Sequence, residues 1–96
     1  MSAVIEETPR GLALRISLTL RGGLHARPAA RLAQEAQRHA SDILLICDNG
    51  EADAKSMLDV LSLSPDPDAE LTLLASGPDA RAALEALARF FNTLQD

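Results

Sequence analysis

Aromatic side chains are almost missing from this 96-residue chain: Phe90 and Phe91 stand alone, with no Trp and no Tyr. Their scarcity removes the usual platforms for stacking bases and the walls of an aromatic ligand cage. Cysteine is scarce too. The single Cys47 has no partner for an internal disulfide, and the spaced Cys and His pairs of a structural metal site are lacking, so no metal and no other cofactor is expected and a reducing compartment fits. No apolar run approaches the length of a membrane span, and the first residues carry Glu6, Glu7 and Pro9 in place of a signal-peptide stretch. A cytoplasmic protein with a flexible, polar leader over residues 1–11 is expected. Positive charge is also in deficit. Nine Lys and Arg against fourteen Asp and Glu give a net charge of −5, the wrong sign for a general nucleic-acid binder.

What is present is aliphatic. A hydrophobic share of 47% with 24% charged residues is that of an ordinary globular chain, and the length allows one hydrophobic core, placed in a single domain over residues 12–96. The charge is divided along the chain. Residues 1–40 hold six Arg and three Glu, whereas residues 41–96 hold three basic and eleven acidic side chains. Anions are attracted to the N-terminal part, and the dipolar surface can steer a charged partner to one side of the domain.

Residues 12–20 alternate strictly, with Leu12, Leu14, Ile16, Leu18 and Leu20 on one side, the pattern of a half-buried strand that Gly22 and Gly23 bring to an end. After His25 the period changes. Pro28 sits where a first helical turn tolerates a missing N–H, and Ala29, Leu32, Ala33, Ala36 and Ala40 then share one helical face, which predicts a helix to about residue 40. Arg27, Arg31 and Arg38 line the opposite face. An apolar run over residues 42–47 leads into Asp48-Asn49-Gly50, a strong hairpin signal, and a short third strand follows over residues 51–54. Ser56 is then placed to cap a helix reaching about Leu63, with Asp59 in its acidic first turn. Ser64-Pro65-Asp66-Pro67-Asp68 reads as a loop, residues 70–76 as a fourth strand, and Gly77-Pro78-Asp79 opens a last helix that buries Ala80, Leu84, Leu87, Phe91 and Leu94. The predicted fold is α+β: an open-faced sandwich of four antiparallel strands covered on one face by three helices, in the order βαββαβα.

The stretch richest in chemistry is Gly22-Gly23-Leu24-His25-Ala26-Arg27-Pro28-Ala29-Ala30, where a strand end delivers a histidine to the mouth of a helix. Free backbone N–H groups and the helix dipole favour an anion there, and Arg27 adds a planar cation suited to phosphate oxygens. A neutral imidazole has a ring nitrogen whose lone pair can attack phosphorus. The residues thus describe a metal-free phosphoryl site with His25 as nucleophile. A lone histidine before a helix is also compatible with a plain surface turn.

Here the chain resembles the HPr family, the histidine-containing phosphocarriers of the bacterial phosphoenolpyruvate-dependent sugar phosphotransferase system. Gly23-Leu24-His25-Ala26-Arg27-Pro28-Ala29 is similar to the family's active-site signature, and Ala54-Lys55-Ser56-Met57-Leu58-Asp59-Val60-Leu61-Ser62-Leu63 resembles its regulatory-serine segment. The resemblance implies the HPr-like open-faced sandwich. It also implies that His25 accepts a phosphoryl group at Nδ1 from phospho-enzyme I and passes it to IIA-type domains of sugar permeases, with Arg27 neutralising the phosphate and Pro28 setting the helix start. Ser56 would be the target of an HPr kinase/phosphorylase, although a plain helix cap wants the same residue at the same place. Leu24, Ala30, Met57, Leu58 and Leu61 would form the partner-docking surface, with Met57 expected to be the most exposed of the α-helical trio, and ordinary core packing is the alternative for that trio. Arg31 and Arg38 extend the cationic face or simply meet water.

The expected protein is a monomeric, stoichiometric carrier that turns nothing over by itself and touches neither nucleic acid nor membrane. A regulatory phosphotransferase adaptor with the same residues, nitrogen-related or metabolic and without direct sugar transport, is a second reading. A hydrolase or transferase using His25 on a small molecule would need a pocket and a second acid or base, for which the sequence offers no candidate. His39 at a helix end and Cys47 on a strand read as structural.

Overall fold

Alternation and hairpin chemistry produce the sheet that their periods require. The computed structural model describes residues 4–18 and 24–94. Its elements are β1 (Ile5–Thr8), β2 (Gly11–Ser17), α1 (Ala26–Ala36), β3 (Asp42–Cys47), β4 (Gly50–Asp53), α2 (Met57–Leu63), β5 (Glu70–Ser76) and α3 (Ala80–Leu94). The strands form one antiparallel sheet in the order β1-β2-β5-β3-β4, so the last strand in sequence lies in the middle. Leu14 is opposite Leu73, Leu73 opposite Leu45, and Leu45 opposite Ala52, a row of buried side chains running across the sheet beneath the helices.

The helices cover that one face. Ala29, Leu32 and Ala36 of α1, Val60 and Leu63 of α2, and Leu84, Leu87 and Phe91 of α3 join the same core cluster. Small alanines let α1 lie close to its neighbours, and long aliphatics fill the space between helices and sheet. Hairpin chemistry holds as well: Asp48 and Asn49 link β3 to β4, with Gly50 at the positive φ of 136°. Asn49 Nδ2 donates to the carbonyls of Leu63 and Ser64, tying this turn to the end of α2. The architecture is the open-faced α+β sandwich.

Three details depart from the sequence reading. The expected flexible leader contains a fifth strand: Ile5–Thr8 pairs with β2, Ile5 opposite Leu14 and Thr8 opposite Gly11. One inward apolar residue, Ile5, and a turn in which Arg10 N donates to Thr8 Oγ1 and Thr8 Oγ1 to Gly11 O are sufficient, because β2 already offers a formed edge. The first long helix stops at Ala36 and not near residue 40. Its last N–H bonds tighten, Arg38 N to Glu35 O and His39 N to Ala36 O, and the next two N–H groups, of Ala40 and Ser41, turn away to the Asp79 carboxylate. The strand expected over residues 12–20 ends at Ser17, with Leu18 N donating to Ala69 O; Thr19, Leu20, Gly22 and Gly23 lie outside the described residues.

Candidate functional site

His25 is the N-cap of α1. Its backbone is extended (φ −85°, ψ −171°), its carbonyl accepts the first helical bond from Ala29 N at 3.0 Å, and its side chain makes no capping bond. Two buried anchors flank it. Leu24, 4% exposed, is rooted in the core on one side, and Pro28 and Ala29 are buried on the other, while the histidine itself is exposed. The backbone is therefore held while the ring stands in solvent. Ahead of it, Ala26 and Arg27 begin the helix with N–H groups that have no acceptor within the helix, and Pro28 has none to offer. No acidic residue occupies the first turn of α1, so the positive end of the dipole is not neutralised locally. Arg27 is exposed on the same turn. This arrangement can receive a dianionic group on the imidazole and stabilise it with oriented N–H groups and one guanidinium.

The other arginines belong elsewhere. The Arg31 guanidinium lies over the Phe90 ring of α3, 5.9 Å from its centroid, which ties it to the seam between α1 and α3. Arg38 is 3.9 Å from Glu35, beyond the far end of α1 and roughly 20 Å along the helix axis from His25 at 1.5 Å per residue.

Ser56 is the N-cap of α2: its Oγ accepts from Asp59 N at 3.2 Å and its carbonyl from Val60 N at 3.0 Å. The preceding residue is clasped to the C-terminal end of α1. Gln37 Nε2 donates to Lys55 O, and Lys55 Nζ donates to His39 O, each at 2.8 Å. Ser56 thus sits at the end of α1 opposite to His25. This crosswise clasp was not legible in sequence, because each bond joins a side chain to a main-chain oxygen with no pattern of its own.

The expected docking residues separate. Leu58 is 71% exposed and Met57 37%, reversing the expected order, since Val60 and Leu63 turn inward and place Leu58 on the outer face of α2. Leu61 is half-buried against the core, and Ala30 is half-buried on α1. Leu24 offers no docking surface: its burial makes it an anchor for His25. Cys47, half-buried and unpaired, packs at the core margin.

His39 has surroundings that the sequence did not reveal. Its Nδ1 lies 3.5 Å from Asp79 and its Nε2 3.8 Å from Glu35, and this buried Nε2 makes no hydrogen bond. Bonds from Ser41 Oγ, Ser41 N and Ala40 N hold the Asp79 carboxyl well below the usual carboxylate range, with the nearby imidazole adding to the effect and burial opposing it. These groups are structural in position, at the junction of α1, β3 and α3. A groove of about 500 Å³ beside the β3–β4 hairpin is walled by Asp48, Asp66, Asp68 and Glu70 and contains neither His25 nor Arg27. Its charge repels a phosphoryl group. Among the described residues, no group of three or more His, Cys, Asp or Glu side chains is placed to hold a metal ion, and no helix is long and apolar enough to cross a membrane.

A sandwich of this strand and helix order matches the phosphocarrier type of domain. The family described as "PTS HPr component phosphorylation site" matches residues 13–93, and the chain belongs to this HPr family of the phosphotransferase system. It is 44% identical over 71 residues to the phosphocarrier protein HPr of Treponema pallidum, covering 74% of this chain and 81% of that one. It is 42% identical over 76 residues to the HPr-like protein Crh of Bacillus subtilis, covering 79% and 89%. A solved Crh structure, described as a dimer with a swapping domain, superposes with a TM-score of 0.68 at 41% identity, over 81% of this chain and 90% of that one. The histidine-containing phosphocarrier protein of a mycoplasma gives a TM-score of 0.82 at 31% identity, over 88% of this chain and 98% of its own.

Proposed function

We propose that this chain is a cytoplasmic, monomeric phosphoryl carrier, not an enzyme in its own right, in which His25 takes the phosphoryl group from phospho-enzyme I and gives it to a IIA-type domain. The bond that holds the phosphoryl group on phospho-enzyme I breaks as a bond from phosphorus to His25 Nδ1 forms, and in a second exchange the His25 bond breaks as phosphorus bonds to a histidine of the acceptor domain. The observation that carries the reading is the free, exposed His25 ring at a helix mouth with no acid in the first turn. Arg27 shares the charge of the phosphoryl group, and Pro28 and Leu24 hold the backbone. Leu58 and Met57 supply the apolar part of the docking surface. Ser56 is a regulatory position where an HPr kinase/phosphorylase is present: phosphate there adds about −1.5 to −2 charges beside Met57 and Leu58 and repels acidic groups of a partner.

The test is intact-protein mass after incubation with phosphoenolpyruvate, enzyme I and Mg²⁺, followed by mild acid. A phosphate that is gained, lost in acid and absent from His25→Ala supports the carrier. The likeness to Crh, whose solved structure is described as that of a catabolite repression protein, supports a second reading, a regulatory adaptor without transfer to sugar permeases. With an enzyme I proven active on a control carrier, no mass gain would favour the adaptor.

A further inference from the structure

The β1–β2 hairpin does more than extend the sheet. Its turn residue Arg10 donates to Glu51 through both arms of the guanidinium, Nη1 to Oε2 at 2.8 Å and Nη2 to Oε1 at 3.0 Å. Glu51 is on β4, the far edge strand, and β5 and β3 lie between β2 and β4. Strand pairing decides the face on which this happens. Ala52 and its partner Leu45 are buried under the helices, so Glu51 and its partner Ile46 point to the helix-free side. The ion pair therefore spans the face that the helices leave open.

On that face Leu74 stands between Ala13 and Leu44. It is 7% exposed, yet it is not part of the core cluster to which Leu71, Leu73 and Ala75 belong. Its cover comes from the other side of the sheet. Gly11 shows how the hairpin comes close enough: at φ +139° its backbone lies so near β5 that a Cβ would meet Ala75 O at 2.5 Å. Strand β1 and the turn that carries Arg10 lie ahead of the residues matched by the family, 13–93.

We propose that the turn after β1 is a strap folded over the helix-free face of the sheet, latched by Arg10 to Glu51, which shields Leu44, Ile46 and Leu74 from water. Both latch residues are solvent-exposed, so the ion pair is weak and screened by salt. A weak latch gives a strap that opens and closes readily while the ladder to β2 keeps it attached. Opening uncovers an aliphatic strip on the side of the domain away from His25.

Hydrogen exchange on the full chain at low salt tests this. Arg10→Ala and Glu51→Gln should each accelerate exchange in β1 about two- to five-fold and raise binding of an apolar fluorescent dye by a similar factor. The charge swap Arg10→Glu with Glu51→Arg should restore both readings. In the unaltered chain, raising NaCl from about 20 mM to about 500 mM should reproduce the acceleration, and Glu51→Gln should show no such salt response. Unchanged exchange in both single variants, or a charge swap that fails to restore the closed strap, would overturn the proposal.

Discussion

Asp79 and Ser41 hold each other in a closed ring of hydrogen bonds: Ser41 N and Oγ donate to Asp79 Oδ1 at 2.9 and 2.6 Å, and Asp79 N donates to Ser41 Oγ at 3.1 Å. The pair joins the start of α3 to the entrance of β3. Its acid response follows from linkage. A carboxyl whose folded pKa is depressed adds stability that is complete above the unfolded Asp value, about 3.9, and is lost as pH falls through the folded pKa. Ser41→Ala should destabilise at neutral pH by about 1–3 kcal/mol, the loss of the two hydrogen bonds its hydroxyl shares with Asp79, and should flatten the loss of stability below about pH 4. Urea denaturation between pH 2 and 7 reads both effects; an unchanged acid slope would remove Ser41 as the cause.

Gly77 bears on the same ring. Its φ is +143°, and a Cβ there would lie 2.7 Å from Ser41 Oγ and 2.8 Å from Ser41 Cα. Gly77→Ala is expected to cost about 1–3 kcal/mol in backbone strain and to push Ser41 out of register with Asp79. Combined with Ser41→Ala, the loss should be smaller than the sum of the two, because both variants break one set of bonds. Strict additivity in denaturation midpoints would show that they do not share it.

His25 separates stability from transfer. Since its ring makes no capping bond, His25→Ala should leave the unfolding free energy within about 0.5 kcal/mol while abolishing phosphoryl acceptance. Arg27→Ala should retain acceptance at a rate lowered by up to about thirtyfold, and Arg27→Lys should recover part of it, a single charge replacing a fork. Rapid-quench phosphorylation by enzyme I gives the rates, and a wild-type rate in Arg27→Ala would contradict its role.

Ser56 has a structural duty whether or not it is modified. Ser56→Ala removes the bond from Asp59 N and should cost about 1 kcal/mol, seen as faster exchange in α2, with little effect on acceptance at His25. Ser56→Asp keeps a capping oxygen and should retain the stability, yet it should slow acceptance by adding charge beside Leu58. Equal acceptance by the two variants would argue against a regulatory role.

Leu58, 71% exposed on the outer face of α2, allows docking to be tested without harm to the core. Leu58→Asp should leave the thermal midpoint nearly unchanged and raise the concentration of carrier needed for half-maximal transfer. Val60→Asp, two residues on, should unfold the domain, since Val60 is fully buried. A Leu58 variant with unaltered partner titration would place docking elsewhere.

The sheet, the helix order and the histidine at the helix mouth were readable because local period and local chemistry agree there. Leu12, Leu14 and Ile16 alternate in register with Leu71, Leu73 and Ala75, and Ser56 caps Asp59 within one turn. Long-range polar pairs were not readable. In the sequence Asp79 reads as part of the opening of the last helix, yet its carboxylate goes to Ala40 and Ser41 and ends α1 early. Arg10 and Glu51, separated by 41 positions, carry no pattern that joins them, and without that bond residues 5–8 look like a polar tail. Leu24 reads as a neighbour of the site, and only its depth in the core shows it to be an anchor.

The central place of β5 has a consequence for how the domain is made. Both β2 and β3 find their long-range partner only in residues 70–76, so a chain still emerging from the ribosome holds two separated pieces of sheet until that segment is free. Until then the inward leucines of β2 and β3 lack their shared neighbour and are open to chaperones or to misassembly, and β5, made after the other four strands, closes the sheet.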